Sequence, residues 1–377
     1  MSAVVEKIHR AVDTFVGRTF ELSITKGYVS RWGMEHAVRE LIQNALDSES
    51  PFVYEFIDHG EGVHELRLAS EFSTLTPATL LLGATSKAES EDTIGSFGEG
   101  YKIALLVLTR LGYDVEIRNG DLVWKPRFRF SRTFGDDLLV IDESFSPERG
   151  RKGLTFIVHG LGDDDVDRVR ESCLRMQNNV GAIKETEFGT ILLDQPGRLY
   201  VGSLFVCKTQ LKYGYSIKSK YLRLDRDRQT VSDWAMTQIT TKAWYETGET
   251  NRIAKMIQEE VPDVEYSRYD APEIVKEECY RIFRQNNPGA IIASSPEDMK
   301  AKIEAGMTKV VYSGGWMYSA VAGSRSYQAE RPFIEKAQAT PKQKLAEFLR
   351  DYRSEMRTKA IVAFKKLIED AEKWTIK

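Results

Sequence analysis

Three oxygen-bearing side chains recur at helical spacing near the start of the chain. In Glu40-Leu41-Ile42-Gln43-Asn44-Ala45-Leu46-Asp47, positions i, i+4 and i+7 share one helical face, so Glu40, Asn44 and Asp47 project together. A carboxylate placed there can orient and deprotonate a water. An amide oxygen suits Mg²⁺, which keeps several waters and takes phosphate oxygens as further ligands. An ordinary amphipathic helix with a polar face gives the same spacing, and the helix alone does not choose between the two. A second segment adds weight to the chemistry. Ile94-Gly95-Ser96-Phe97-Gly98-Glu99-Gly100-Tyr101-Lys102 runs straight into an apolar helix. Glycines let backbone N–H groups approach phosphates closely, and the helix N-terminus adds partial positive charge. No convincing strand precedes the glycines and no GxxxxGK[ST] is present, so neither the dinucleotide fold nor the Walker A loop fits.

These side chains need elements to hold them. Apolar periodicity predicts helices over 2–16 (Val5, Ile8, Val12, Val16) and 34–48 (Ala37, Leu41, Ala45, Leu46). A hairpin follows, with strands at 52–57 and 63–69 and Asp58-His59-Gly60-Glu61-Gly62 as its turn. Thr76-Pro77 opens a short helix ending near Gly83, and the polar, glycine-containing stretch 84–100 reads as a mobile lid. Next come an apolar helix over 101–111 and strands at 114–118, 121–130, 137–141 and 153–158. Asp163-Asp164-Asp165 starts another helix, where acidic groups suit the dipole. Strands are expected at 190–193 and 198–208, and helices at 232–245 and 251–260. From 262 the order is helix, strand, helix, strand, helix. Thr340 caps the last helix and Pro341 opens it. Its stripe of Leu345, Phe348, Leu349, Tyr352, Met356, Ala360, Ala363 and Leu367 predicts one long helix facing a core or a partner.

Together the two chemical segments resemble the gyrase, heat-shock chaperone, histidine kinase and MutL (GHKL) ATPase superfamily, nearest in style to its chaperone and MORC-like members. ELIQNALDS looks like the N box, IGSFGEGYKIALLVL like the second glycine box, and Gly153-Leu154-Thr155-Phe156-Ile157 like the strand that closes the nucleotide pocket. The resemblance spans about residues 1–160. It implies an α+β fold, a two-layer Bergerat sandwich with a mixed sheet over 1–162. A transducer-like domain over 163–261 and a C-terminal α/β region over 262–377 would follow.

The resemblance implies ATP and Mg²⁺ as cofactors. Glu40 would be the general base, Asn44 the Mg²⁺ ligand, and Asp47 a neighbour of the nucleotide. Gly95, Gly98 and Gly100, with Phe97, Glu99, Tyr101 and Lys102 between and after them, would wrap the phosphates. Lys87 in the lid would meet a phosphate, and Thr155 would bond near the adenine. For Lys102 a surface salt bridge is the competing reading. Arg226 and Arg228 of Leu224-Asp225-Arg226-Asp227-Arg228 would reach the terminal phosphate. The letters of the first glycine box occur at Asp58 to Gly62, but there they serve the hairpin turn. Its usual place, after the second strand, holds Ser70 and Thr74 instead of Asp and Gly. A hydroxyl both donates and accepts where a carboxylate only accepts, so base selectivity stays open.

Composition bounds the rest. Of 377 residues, 53 are Lys or Arg and 56 Asp or Glu, a formal charge of −3 that argues against a general nucleic-acid coat. The longest apolar run noted, Ile103 to Leu108, is six residues, far short of a membrane span. Three scattered cysteines form no CxxC pair, which suits a reducing cytoplasm (the host's if the chain is phage-encoded). The expected activity is slow ATP hydrolysis that drives a conformational change, with ATP and ADP, an unknown protein client and a possible second copy of the chain as partners. A nucleotide-gated module without turnover and a DNA-associated GHKL ATPase are the alternatives, although no zinc motif, nuclease motif or basic tract supports DNA. None of His9, His36, His59, His64 or His159 lies in a phosphoacceptor-helix signature.

Overall fold

The computed structural model describes residues 17–48, 50–81, 100–146, 150, 152–222 and 233–371. The helix expected over 2–16 lies outside them. The architecture is α+β, and the chain divides into two compact units. One comprises 1–182, 198–208 and 215–230, the other 183–197, 209–214 and 231–377.

The first unit is built on a seven-stranded sheet. Its strands are β1 (Thr19–Thr25), β2 (Val53–Asp58), β3 (His64–Ser70), β4 (Asp114–Asn119), β5 (Leu122–Ser131), β6 (Asp136–Phe145) and β7 (Leu154–Leu161), in the order β1-β6-β5-β4-β7-β3-β2. Every neighbouring pair is antiparallel, which corrects the expected mixed sheet. Period-2 alternation turns Leu66, Leu68, Val115, Ile117, Phe156 and Val158 to one face. There they bury against Ala37, Val38, Leu41 and Ile42 of α1 (Met34–Leu46) and Ala104, Leu105 and Leu108 of α2 (Gly100–Leu111). The opposite face carries cross-strand ion pairs beside buried Val123, Val140 and Ile157. Arg127 meets Asp142, Arg129 meets Glu21 at 2.8 Å, and Glu116 takes both Arg118 and Lys125.

β1 went unread in the sequence although Phe20, Leu22 and Ile24 alternate. A third helix, α3 (Asp163–Ser172), starts at the acidic triplet as expected, but it opens no new domain. Its Val166 and Val169, with Cys173, Met176 and Leu204, join the same core, so the boundary placed at 163 is corrected. The strand expected over 198–208 is two, Arg198–Val201 and Leu204–Lys208. They turn at Gly202 (φ 57°) and Ser203 (φ 76°). A further strand, Gly214–Ile217, pairs in parallel with the first of them.

The second unit holds a hairpin of Ile183–Thr186 and Gly189–Leu192. It also holds helices α4 (Asp233–Glu246), α5 (Thr250–Gln258), α6 (Glu273–Asn286), α7 (Pro296–Glu304), α8 (Gly315–Ala322), α9 (Arg325–Gln338), α10 (Pro341–Tyr352) and α11 (Thr358–Asp370). No boundary falls at 262. Asp263 is fully buried and its carboxylate accepts the backbone N–H of Lys212 at 2.7 Å and of Tyr213 at 3.1 Å. The 3₁₀ segment Pro262–Arg268 also packs on α4 and α5. The expected long terminal helix is instead a helical hairpin broken over 353–357. Phe348 stacks on Phe364 at 5.4 Å, so the apolar stripe folds onto itself.

Two buried polar groups of the first unit generate predictions. Trp124 is fully buried and donates its indole N–H to Glu143 Oε2 at 2.9 Å; Glu143 is itself 1% exposed and paired with Arg18. Trp124→Phe leaves that carboxylate one donor short and is expected to cost about 1–3 kcal/mol in chemical denaturation. An unchanged midpoint would show that the bond contributes nothing. Glu65 meets Arg67, His159 Nδ1 at 2.9 Å and His59 Nε2 at 3.3 Å. Burial pushes its carboxyl up, but the Arg67 bond and charge, then His159 and His59, outweigh it and hold it below its ordinary 4.5. The unfolded chain therefore binds this proton at higher pH than the folded one. The stability Glu65 contributes is complete above about pH 4.5 and is lost as pH falls through the lower folded value. Glu65→Gln should flatten the acid limb of a stability-versus-pH curve, and an unaltered limb would remove Glu65 as its source.

Candidate functional site

Helix α1 starts at Gly33, whose N–H donates to His36 Nδ1 at 3.1 Å, and ends where Asp47 takes the helical C-cap. Ala37, Val38, Leu41 and Ile42 seat it on the sheet. The buried half of the helix extends to Glu40, which is 1% exposed, while Asn44 is half-buried one turn on. Asn44 donates its amide N–H to the Glu40 carbonyl at 2.8 Å. The nitrogen is thereby committed to the helix, and the oxygen is the atom the side chain offers outward.

Against this turn lies the first residue of α2. A Cβ on Gly100 would stand 2.5 Å from Glu40 Oε2 and 3.5 Å from Asn44 Nδ2. Any larger residue there would have to push the Glu40 carboxylate aside. The contact brings Gly100 to Glu40 and Asn44, about sixty positions earlier in sequence, and sets a carboxylate at a helix N-terminus, where the dipole favours negative charge. Arg39 Nη2 stands 4.0 Å from Glu40 Oε1. The arrangement can hold a hard cation through one neutral oxygen, with its other ligands coming from outside the protein. Among the described residues no group of three His, Cys, Asp or Glu side chains is placed to hold a metal alone.

Just past the end of α1, Ser48 donates to the Ala45 carbonyl at 2.8 Å, and Ser70 on β3 donates to Ser48 Oγ at 3.4 Å. Ser70 is buried and faces the helices with Leu66 and Leu68. Beside it, Gly153 has φ +83°, and a Cβ there would lie 2.8 Å from the Ser70 carbonyl oxygen and 2.7 Å from that of Glu71. Register then decides the next positions. Leu154 pairs with Ser70 and shares its face, whereas Thr155 pairs with Ala69 on one side and Arg118 on the other. Thr155 therefore projects from the sheet face opposite α1. This corrects its expected place near a base: Leu154, missed in the sequence, has the inward position.

Thr74 is exposed in the loop after β3. The adjacent Leu75 is gripped at both backbone groups by Asn119, its N–H donating to Oδ1 at 3.0 Å and its carbonyl accepting from Nδ2 at 2.7 Å. Asn119-Gly120 is a hairpin-turn signal that could have drawn attention to this residue. Tyr101 donates its hydroxyl to the Thr79 carbonyl at 2.7 Å, and burial raises its pKa to about 12, which removes it from proton transfer near neutrality. Lys102 is fully buried and its ammonium donates to the Leu81 carbonyl, which corrects the surface salt bridge considered for it. Residues Asp58 to Gly62 form the hairpin turn, as expected, with positive φ at Gly60, Glu61 and Gly62 and the Gly60 N–H on Asp58 Oδ1 at 2.8 Å. Lys87, Gly95, Phe97, Gly98, Glu99, Arg226, Arg228 and most of the expected lid lie outside the described residues.

No protein-family profile matches the chain. It is 24% identical over 230 residues to a protein of Mycoplasma pneumoniae described as uncharacterized, a match covering 57% of this chain and 92% of that one. It is also similar to the crystal structure of the B-subunit of the DNA gyrase from Myxococcus xanthus, with 8% identity, a TM-score of 0.29, and coverage of 53% of this chain and 83% of the other. Among the described residues no helix is long and apolar enough to cross a membrane.

The Gly100 contact predicts a non-additive double mutant. Gly100→Ala should lower stability by about 1–3 kcal/mol through overpacking, despite alanine's better helix propensity. In a Glu40→Ala background, where the clashing carboxylate is gone, the same change should cost little or stabilise. Equal costs in the two backgrounds would mean that the glycine is not there to make room for Glu40.

Proposed function

We propose that the chain binds ATP with Mg²⁺ along α1 and hydrolyses it slowly, as a GHKL-type module in which nucleotide turnover drives a conformational change. The observation that carries this reading is the Gly100 contact. It joins the two sequence segments of the resemblance in one corner, with Glu40 and Asn44 facing the start of α2. From Glu40 to the helix end at Leu46 is six residues, about 9 Å at 1.5 Å per residue, and Ser48 and Ser70 lie just beyond. A nucleoside triphosphate laid along α1 spans a distance of that order. Its base would sit at the Ser48–Ser70 end and its terminal phosphate at Glu40.

In this reading Glu40 takes the proton of the attacking water, and its burial excludes bulk solvent from the carboxylate. Asn44 offers Oδ1 to Mg²⁺, which when bound supplies charge neutralisation for the phosphate oxygens. The α2 N-terminus with Gly100 faces the phosphates, and Gly95, Gly98, Lys87, Arg226 and Arg228 are further phosphate contacts proposed from the sequence. Ser70 and Leu154 would face the base in place of a carboxylate, so discrimination between adenine and guanine rests on hydroxyl and apolar contact.

Calorimetric titration with ATP, ADP and GTP, with and without Mg²⁺, combined with phosphate-release assays, tests the proposal. Glu40→Ala is expected to reduce hydrolysis at least ~10²-fold while leaving binding in place. Asn44→Ala should abolish the Mg²⁺ dependence of binding. Binding without turnover in the unaltered protein would leave a nucleotide-gated module. No binding of any nucleotide would overturn the reading.

A further inference from the structure

Helix α5 of the second unit ends in a turn that ordinarily takes glycine. The Glu260 N–H donates to the Ile257 carbonyl at 3.2 Å and the Val261 N–H to that of Met256 at 2.9 Å, the two bonds of a Schellman cap. The residue in the left-handed conformation is Glu260, with φ 51°. Glycine takes that conformation without a steric penalty, whereas a Cβ crowds the following carbonyl oxygen. A glutamate there is strained, and strain of this kind clusters at functional sites. The Glu260 side chain is exposed, and among the described residues it makes no hydrogen bond or ion pair. Its carboxylate leans on Gly314, where a Cβ would stand 2.8 Å from Oε1.

That carboxylate lines a cleft of about 390 Å³, within the range of small-molecule sites, about 300–1,000 Å³. Tyr269, just after the 3₁₀ segment, and Trp316 and Ser319, from the first turns of α8, line it as well. Tyr269 is 58% exposed, and its ring is set by contacts with Trp234 at 5.6 Å and Tyr266 at 5.8 Å. Arg268 also borders the cleft, but Glu265 meets its charge at 2.8 Å and its guanidinium lies over the Tyr269 ring at 4.7 Å. The uncompensated charge is therefore that of Glu260. Ser319 donates its hydroxyl to the Gly315 carbonyl at 3.1 Å, so it offers a ligand only lone pairs. A bare ammonium has three N–H donors to satisfy when it leaves water. A methylated ammonium has none, and both ring faces and a carboxylate attract it. We propose that this cleft binds a small soluble molecule bearing a trimethylammonium group, which packs on Tyr269 and Trp316 with Glu260 as its counter-ion.

Titration calorimetry of the full chain with choline tests this. Binding is expected with a Kd of about 1 mM or tighter. 3,3-Dimethyl-1-butanol has the shape of choline without the charge, and ethanolamine has the charge without the methyl groups. Each should bind at least ~10-fold more weakly. Glu260→Gly is the discriminating variant. It relieves the left-handed strain and should raise the unfolding midpoint of the protein, while choline affinity falls ~10-fold. Glu260→Gln keeps the strain and should lose the affinity without the gain in stability. Trp316→Leu, which keeps apolar bulk but no ring face, should also weaken choline binding. Phosphatidylcholine vesicles present the same group on a lipid and should leave the protein in solution. Absence of choline binding up to ~10 mM, well above the Kd of a weak millimolar site, overturns the proposal. Equal binding of dimethylbutanol or of ethanolamine overturns it in favour of a plain apolar or a plain cation site. Unchanged choline affinity in Glu260→Gly overturns the role of Glu260, and sedimentation with the vesicles overturns a free molecule as the ligand.

Discussion

A buried carboxylate held against the start of a second helix organises the first unit. Glu40 comes from the core-facing half of α1, and Gly100 is the only residue type whose backbone can lie against it without displacing it. Around that contact the two helices share one apolar surface on the sheet, from Ala37 and Leu41 on α1 to Ala104 and Leu108 on α2. Much of the packing in the unit keeps the two helices at this separation. Tyr101 and Lys102 fasten the start of α2 to the carbonyls of Thr79 and Leu81, so it is held from two sides.

The division of labour between the sheet faces follows from the same arrangement. With both helices on one side, the alternate residues of the central strands point away from them, and Leu138, Val140 and Ile157 on that side are buried too. Arg, Lys, Glu and Asp occupy that side and pair across strands. Exposed ion pairs of this kind are each worth little, about 0–1 kcal/mol. Their main effect is to fix which side of the strand is inward. A one-residue slip would bury the charges and expose Leu66, Leu68, Phe156 and Val158.

That sensitivity to register also explains what was legible in the sequence. The turn at Asp58 to Gly62, α1 and the apolar helix after the glycines follow from local chemistry, and they fall where expected. The side chain on the pocket side of β7 does not, because Leu154 and Thr155 differ by one position and only the partner strand decides between them. The break over 353–357 carries no Gly or Pro. What marks it is a contact between the two helices, Phe348 stacked on Phe364, and not a local breaker. β1 has the right alternation and is flanked by Gly17 and Gly27, but its place in the sheet is specified by β6 far away. Within the candidate site, the association of Glu40, Asn44 and Gly100 could be anticipated from motif spacing. The clamp of Asn119 on Leu75 could not, since it joins the end of β4 to a loop 44 positions earlier.

The pairing of β1 with β6 sets an order of events during synthesis. Thr19 to Thr25 leave the ribosome well before their partners, which lie between Leu138 and Asp142. At about 5–20 residues per second, the more than one hundred intervening residues take on the order of ten seconds to appear. For that interval the alternating Phe20, Leu22 and Ile24 have no sheet to join, while β2 and β3 can close their hairpin almost at once. The sheet is therefore completed at one edge first, and its earliest-made strand is among the last to find its place.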